Sequence, residues 1–387
     1  MWLGMAQDLQ PLKMRSDLVQ ALISIGRKEV EGEDARQLLG SLLQTALNLE
    51  FATIPPYLSA AFSLGETNEE ILHLIIRAAK EEMLHMTVVA NLMNAIGISP
   101  DLVQAAPDYP YEMDMLESDL EVYLSSFSFD LIENLFMRIE APEDPVAYAI
   151  DQEPETIGQF YAKIIEIIRN DIIPDLFKDA KANEYKQIKA QMSFTPIRYQ
   201  NNEDQNTYPL LEGMDFIITN KEAAIAYLEW VVGQGEGADK NQPLTAEGIP
   251  GHYYRFESIL KGKYLIFDIE ANNNHSYSGG DIPFTPEGVS EFDNNAKIED
   301  YSEYRRVTRH MKRFNSRYTE MIDYLQAAFN CTSPSDEDVT AAQSAYKASL
   351  GSMRNMDGIA KAIIREAAAS EIKAGIPFQY MGSNLSA

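Results

Sequence analysis

Cysteine is almost missing from this chain of 387 residues, with Cys331 the single example. One thiol cannot close an intramolecular disulfide or build a thiolate metal cluster, so the expected compartment is the cytoplasm. Basic charge is also in short supply. Lysine and arginine together number 32 against 59 aspartates and glutamates, a formal net charge of -27. No basic cluster offers a phosphate-binding patch, which excludes nucleic acid and anionic membrane from the expected partners. Long apolar runs are absent as well. None approaches the ~20 residues needed to cross a bilayer, and residues 1–15 lack the ordered basic, apolar and small-residue regions of a signal peptide.

What is present is helical periodicity. Hydrophobic residues make up 45% and charged residues 24% of the chain, and its periodic segments repeat every three to four residues, as in mainly α proteins. The length exceeds that of most single domains, so one large core with additions, or two packed domains, is expected. The division we read is a leader with one helix over residues 1–35, a helical bundle over 36–270 and a C-terminal helical extension over 271–387 packed on the bundle. Long helices are predicted over residues 34–64, 71–96, 129–140 and 156–170. Another opens at the capping box Thr219-Asn220-Lys221-Glu222 with Thr219 as N-cap, and a further one opens near His252. A small β-hairpin pairs residues 263–270 with 282–285, and two final helices run over 300–329 and 336–374, neither with a buried acid or histidine pattern.

The candidate chemistry begins at Glu81-Glu82-Met83-Leu84-His85. Ile71, Ile75, Ala78, Val89, Leu92 and Ile96 form the apolar stripe of the 71–96 helix, and extending that stripe lands on Glu82 and His85. A carboxylate and an imidazole three residues apart then face the core, where unpaired charge is costly unless a metal or partner takes it. Glu50 interrupts the stripe of the preceding helix in the same way, next to Pro55 and Pro56, which should kink that helix. Antiparallel pairing sets Glu50 opposite Glu82 and His85. Glu140 lies beside the stripe of the third helix, with Glu133 two turns earlier as a competitor. Glu236 sits in a glycine-alternating break, with Glu229 as its competitor, and His252 shares a face with Phe256 and Ile259. Four carboxylates and two imidazoles match the ligand set of a carboxylate-bridged di-iron or di-manganese site, in which two helices each give a Glu and two each give a Glu/His pair. The second pair is irregular, because the 243–250 connection separates Glu236 from His252. Oxygen and imidazole donors suit iron or manganese better than a structural zinc.

The runs Leu43 to Glu50 with Thr53-Ile54-Pro55, Glu81 to His85 with Ala90 to Gly97, Ile139-Glu140-Ala141-Pro142, Gln234-Gly235-Glu236-Gly237 and His252 to Phe256 resemble the ferritin-like domain of the iminophenyl-pyruvate dimer synthase group. That group includes enzymes that oxidatively couple two amino-acid-derived imines in bisindole pigment pathways. The likeness covers about residues 38–270 and continues more weakly through the C-terminal helices. It implies an all-α fold, a ferritin-like four-helix bundle with long insertions, a small β-hairpin and extra C-terminal helices. It also implies a metal-dependent oxidoreductase with two iron (or manganese) ions held by Glu50, Glu82, His85, Glu140, Glu236 and His252. The substrate would be a small amino-acid-derived or aromatic metabolite, with Tyr57, two turns beyond Glu50 on the same face, placed to line its pocket, and a homodimer is the assembly considered. Some members of the group are associated with haem, so haem is not excluded, although no axial ligand is assignable here. The alternative is a ferroxidase-like metal-binding protein with no organic substrate.

Overall fold

A computed structural model describes residues 12–113, 115–116, 120–142, 156–190, 214–235, 243–244, 249–271 and 274–382. After α1 (Ser16–Gly26), α2 (Gly32–Phe62) and α3 (Glu69–Ala95) form a long helical hairpin across a short 3-10 turn at Glu66–Asn68. Both helices carry the expected apolar stripes, but their inner halves are buried on every side: Leu49 to Leu64 and Glu81 to Ile96 are all inaccessible. Helices covered all round belong at the centre of a large core. The other described elements cover this pair, and a polar residue off the stripe is therefore buried as deeply as one on it.

α2 runs unbroken through Pro55 and Pro56. The two prolines remove the N–H groups that would bond the Ala52 carbonyl in either an α or a 3-10 pattern. The Tyr109 hydroxyl donates to that carbonyl instead, at 2.7 Å. At its end α3 stops where Gly97 takes a left-handed φ of +80°, the conformation that favours glycine after a helix.

The third ligand-bearing segment opens with α4 (Phe129–Leu131), capped by the Ser128 hydroxyl, passes through a π-helical turn (Ile132–Phe136) and ends as α5 (Met137–Ile139). A π turn shifts the phase of the residues that follow it and is frequent at functional sites. α6 (Ile157–Arg169), capped by Thr156, packs on α7 (Lys221–Gln234). The N-cap of α7 is Asn220, whose side chain accepts from Ala223 N at 2.9 Å, and not Thr219 as expected; asparagine is at least as good a cap as threonine. α8 (His252–Lys261) is the short fourth member of the core and ends at Gly262 with φ +66°.

Residues 98–125, read as irregular, contain a minimal antiparallel pair, β1 (Tyr111–Glu112) and β2 (Glu121–Val122). The later hairpin pairs β3 (Ile266–Phe267) with β4 (His275–Ser276), so its partner is nearer in sequence than the predicted 282–285. Local bonds favour the tighter closure: Asp268 N donates to Asn274 O at 2.7 Å and Ser276 Oγ donates to Asp268 at 2.6 Å.

α9 (Arg305–Phe329) and α10 (Asp336–Ala369) pack on each other, α10 starting from a Ser335 cap followed by three acids that suit a helix N-terminus. Phe378 in the C-terminal strap sits among Phe62, Phe314 and Tyr318, fastening α9 to α2. Contrary to expectation, α9 does hold a buried acid: Asp323 accepts from the Tyr380 hydroxyl at 2.8 Å. No helix among the described residues is long and apolar enough to cross a membrane.

Candidate metal centre

Two groups of three ligating side chains converge inside the core and share one member. Glu50, Glu82 and His85 form the first, and Glu82, Glu140 and His252 the second, each with its donor atoms within 4.8 Å of one another. α2 supplies Glu50, α3 supplies Glu82 and His85, the residue after α5 supplies Glu140, and α8 supplies His252 as its first residue. All five are inaccessible to solvent or nearly so. His85 Nδ1 lies 3.3 Å from Glu82 Oε2 and 3.5 Å from Glu50 Oε2. His252 Nδ1 lies 2.7 Å from Glu82 Oε1 and 3.3 Å from Glu140 Oε1. The two imidazoles are nearly parallel, 5.5 Å apart and 21° inclined, with Glu82 reaching both.

A second layer of side chains orients these ligands. The Tyr57 hydroxyl donates to Glu140 Oε1 at 2.6 Å, and the Tyr161 hydroxyl to Glu50 Oε1. The outward nitrogen of His85, Nε2, faces Gln234 Oε1 at 3.2 Å, whereas Nε2 of His252 faces Glu81 Oε2 at 3.0 Å. Glu81 is itself held by Arg255 and, at 3.3 Å, by Arg77. Trp230 meets the His85 ring edge-on at 5.3 Å, and Phe136 and Phe256 pack on Tyr57. At Gly235 a side chain would lie 3.6 Å from Glu140 Oε2 and 3.9 Å from His85, so glycine leaves space against both half-sites.

The charges are strongly perturbed. Burial pushes the Glu50 carboxyl up to about 7, with the adjacent Glu82 adding to the rise and His85 opposing it. Glu140 is raised, again chiefly by burial. Burial would also raise Glu82, but the imidazoles of His85 and His252 hold it well below the usual carboxylate range. For His85 burial works downward, yet Glu82 and Glu50 carry it up to about 10. Glu81 stays low against its burial because Arg255, His252 and Arg77 surround it.

A cation fits this chemistry. Glu140 Oε2 is fully buried with no hydrogen-bond partner, a costly state for a carboxylate oxygen, and Glu50 Oε2 and Glu82 Oε1, equally buried, face only the Nδ1 atoms of His85 and His252 at 3.5 and 2.7 Å. All three carboxylates belong to the two converging groups, and each histidine turns Nδ1 toward two of them. These five side chains, three carboxylates and two imidazoles with Glu82 common to both groups, could hold two metal ions and are one carboxylate short of the full di-metal set.

Of the residues picked from the sequence, the structure brings together Glu50, Glu82, His85, Glu140 and His252. Glu236 lies outside the described residues. Its competitor Glu229 is exposed and paired with Arg169, and Glu133 is only half-buried while Glu140 is inaccessible. Three residues before His252, where a regular Glu/His pair would place its acid, stands the buried Ile249. Sequence reasoning gave no role to Glu81, Gln234, Tyr161, Arg77 or Arg255. One signal was available: Arg77 and Glu81 stand four apart, as an intrahelical ion pair would.

The ferritin-like family model matches residues 43–261 of the chain. Among solved structures the chain is similar to a ferritin-like protein from Caulobacter vibrioides, with 18% identity, a TM-score of 0.45, and 95% of this chain and 99% of that chain covered. No curated protein matches.

Proposed function

The chain belongs to the ferritin-like family, and from that premise we propose that it is a di-metal oxidoreductase acting on a small amino-acid-derived or aromatic metabolite. The metals are iron or manganese, one held by Glu50, Glu82 and His85 and the other by Glu82, Glu140 and His252. The observation that carries this reading is the sharing of Glu82 between two buried three-donor groups. Two redox-active ions bound there would supply electron exchange with dioxygen or peroxide.

The protein's own residues do the rest. Tyr161 and Tyr57 hold Glu50 and Glu140 by one oxygen each, which leaves the second oxygen of each carboxylate for the cation. Trp230, Phe136 and Phe256 keep the ligand side chains dry, which strengthens every charge interaction there. The resemblance to the iminophenyl-pyruvate dimer synthase group supports oxidative imine coupling as the reaction. Joining two such molecules at carbon removes two electrons and two protons, which reduce one peroxide to two waters.

The test is elemental analysis of protein purified without chelator, followed by reaction of the loaded protein with aromatic amino-acid imines and peroxide or dioxygen. Two equivalents of iron or manganese, with loss of imine and appearance of a coupled product, are expected. Failure to take up iron or manganese on reconstitution would overturn the di-metal reading. Rapid oxidation of ferrous iron with no organic turnover would point instead to a ferroxidase.

A further inference from the structure

The two half-sites differ most in what stands behind their histidines. His85 is backed by the neutral amide of Gln234, while His252 is backed by the Glu81 carboxylate, and both contacts are made through Nε2. Glu81 comes from the residue just before the shared ligand Glu82. One turn of α3 thus provides the bridging carboxylate on one side and the outer partner of the opposite histidine on the other. Arg255, one turn after His252 on α8, and Arg77, one turn before Glu81 on α3, clamp Glu81 from two directions. Arg255 is in turn fixed by the Pro250 carbonyl, which its Nε and Nη2 reach at 3.3 and 3.1 Å. The result is a buried ion cluster that ties the start of α8 to the middle of α3.

We propose that Glu81 is a positioning residue that makes the two metal positions unequal, so that the Glu82/Glu140/His252 position loads before, and more tightly than, the Glu50/Glu82/His85 position. This rests on the di-metal reading above. An anionic partner on the outer nitrogen fixes the tautomer, orients the ring and raises ligand basicity, and removing such a partner typically costs 10–100-fold in metal affinity. An amide oxygen fixes the tautomer in the same way but adds no charge. The ligating atoms themselves are matched, two carboxylates, one of them shared, and one imidazole presenting Nδ1 in each group; the layer behind differs in Glu81, with Arg255 and Arg77 that hold it, against Gln234.

The test is a stepwise titration of metal-free protein with Co²⁺, followed by calorimetry and by the visible absorption of the bound ion. Wild type should bind two equivalents in two resolved steps. Glu81→Gln should weaken the first step 10–100-fold and leave the second nearly unchanged, with the absorption of the first equivalent altered. Gln234→Glu should act in the opposite sense, tightening the second step until the two merge. Circular dichroism reports whether each variant is folded. If Glu81→Gln does not fold, because it strands two arginines, Gln234→Glu alone decides. A folded Glu81→Gln that leaves both steps intact, or a Gln234→Glu that leaves the spacing of the steps unchanged, would overturn the proposal. Absence of any Co²⁺ binding by wild type would instead count against the di-metal reading itself.

Discussion

The Tyr57 hydroxyl donates to Glu140 Oε1 at 2.6 Å across 83 residues of sequence. Tyr57 stands two turns beyond Glu50 on α2, so one helix delivers a ligand to the first half-site and the orienting donor to the second. Hydrogen bonds to buried charged groups contribute about 1.5–3 kcal/mol. Tyr57→Phe keeps the ring packed on Phe136 and Phe256 and removes only that donor. Its expected effect is a lower thermal midpoint in the metal-free protein, together with weaker binding of one metal equivalent and unchanged binding of the other. Calorimetric titration of the variant checks both.

Because Glu82 belongs to both donor groups, its removal should not resemble removal of a terminal ligand. Glu82→Ala is expected to abolish binding of both ions, whereas Glu50→Ala should leave Glu82, Glu140 and His252 able to hold one. Elemental analysis then reads near zero for the first variant and about one equivalent for the second. Equal residual metal in the two would show that Glu82 does not bridge.

Much of this candidate centre was legible because the side chains that converge there fall on helical stripes. Glu50, Glu82 and His85 each occupy a position where the three-and-four spacing calls for an apolar residue, and an acid or imidazole there announces itself. Glu81 did not, because a stripe argument assumes a solvent-facing side, and α3 has none from Glu81 to Ile96. Gln234 and Tyr161 escaped for another reason: a neutral side chain on a buried face breaks no rule of periodicity, and only its distance to a ligand reveals a role. The irregular second Glu/His pair has a physical basis as well. α8 begins at His252 itself, so no preceding helical turn exists to carry the missing acid, and buried Ile249 occupies that place. The edge features were the least legible, since the β3–β4 register and the Asn220 cap are decided by local hydrogen bonds.

Removal of metal should matter more as pH rises. His85 is carried from an ordinary value of 6.5 to about 10, and Glu50 from 4.5 to about 7. A group that holds its proton more tightly in the folded state adds stability below its unfolded pKa and loses it as pH climbs through the folded one. For Glu50 the window runs from 4.5 to about 7, and for His85 from 6.5 to about 10. The metal-free fold should therefore weaken across both. Metal binding requires the deprotonated ligands and so gains over the same range. The gap in thermal midpoint between chelator-treated and metal-loaded protein is expected to widen between about pH 6 and about pH 9. A constant gap would contradict it.

The Ala52 carbonyl offers a test of how α2 survives two adjacent prolines within three turns of a ligand. Neither Pro55 nor Pro56 has an N–H to give it, and Tyr109, almost wholly buried, donates at 2.7 Å. Tyr109→Phe leaves that carbonyl unpaired in the core and should cost about 1–3 kcal/mol. Pro56→Ala restores an N–H four residues after Ala52. It also frees the unfolded chain, a change worth about 0.4–1 kcal/mol against the folded state. Alone, then, Pro56→Ala should be mildly destabilising. In the Tyr109→Phe background it should instead recover part of the loss, because the new N–H replaces the missing hydroxyl. Contacting sites that share a partner couple by about 0.5–3 kcal/mol, whereas independent ones add within about 0.5. Unfolding of the two single variants and the double variant under identical conditions measures that coupling. Simple additivity would mean that Tyr109 is not what satisfies the helix at its proline pair.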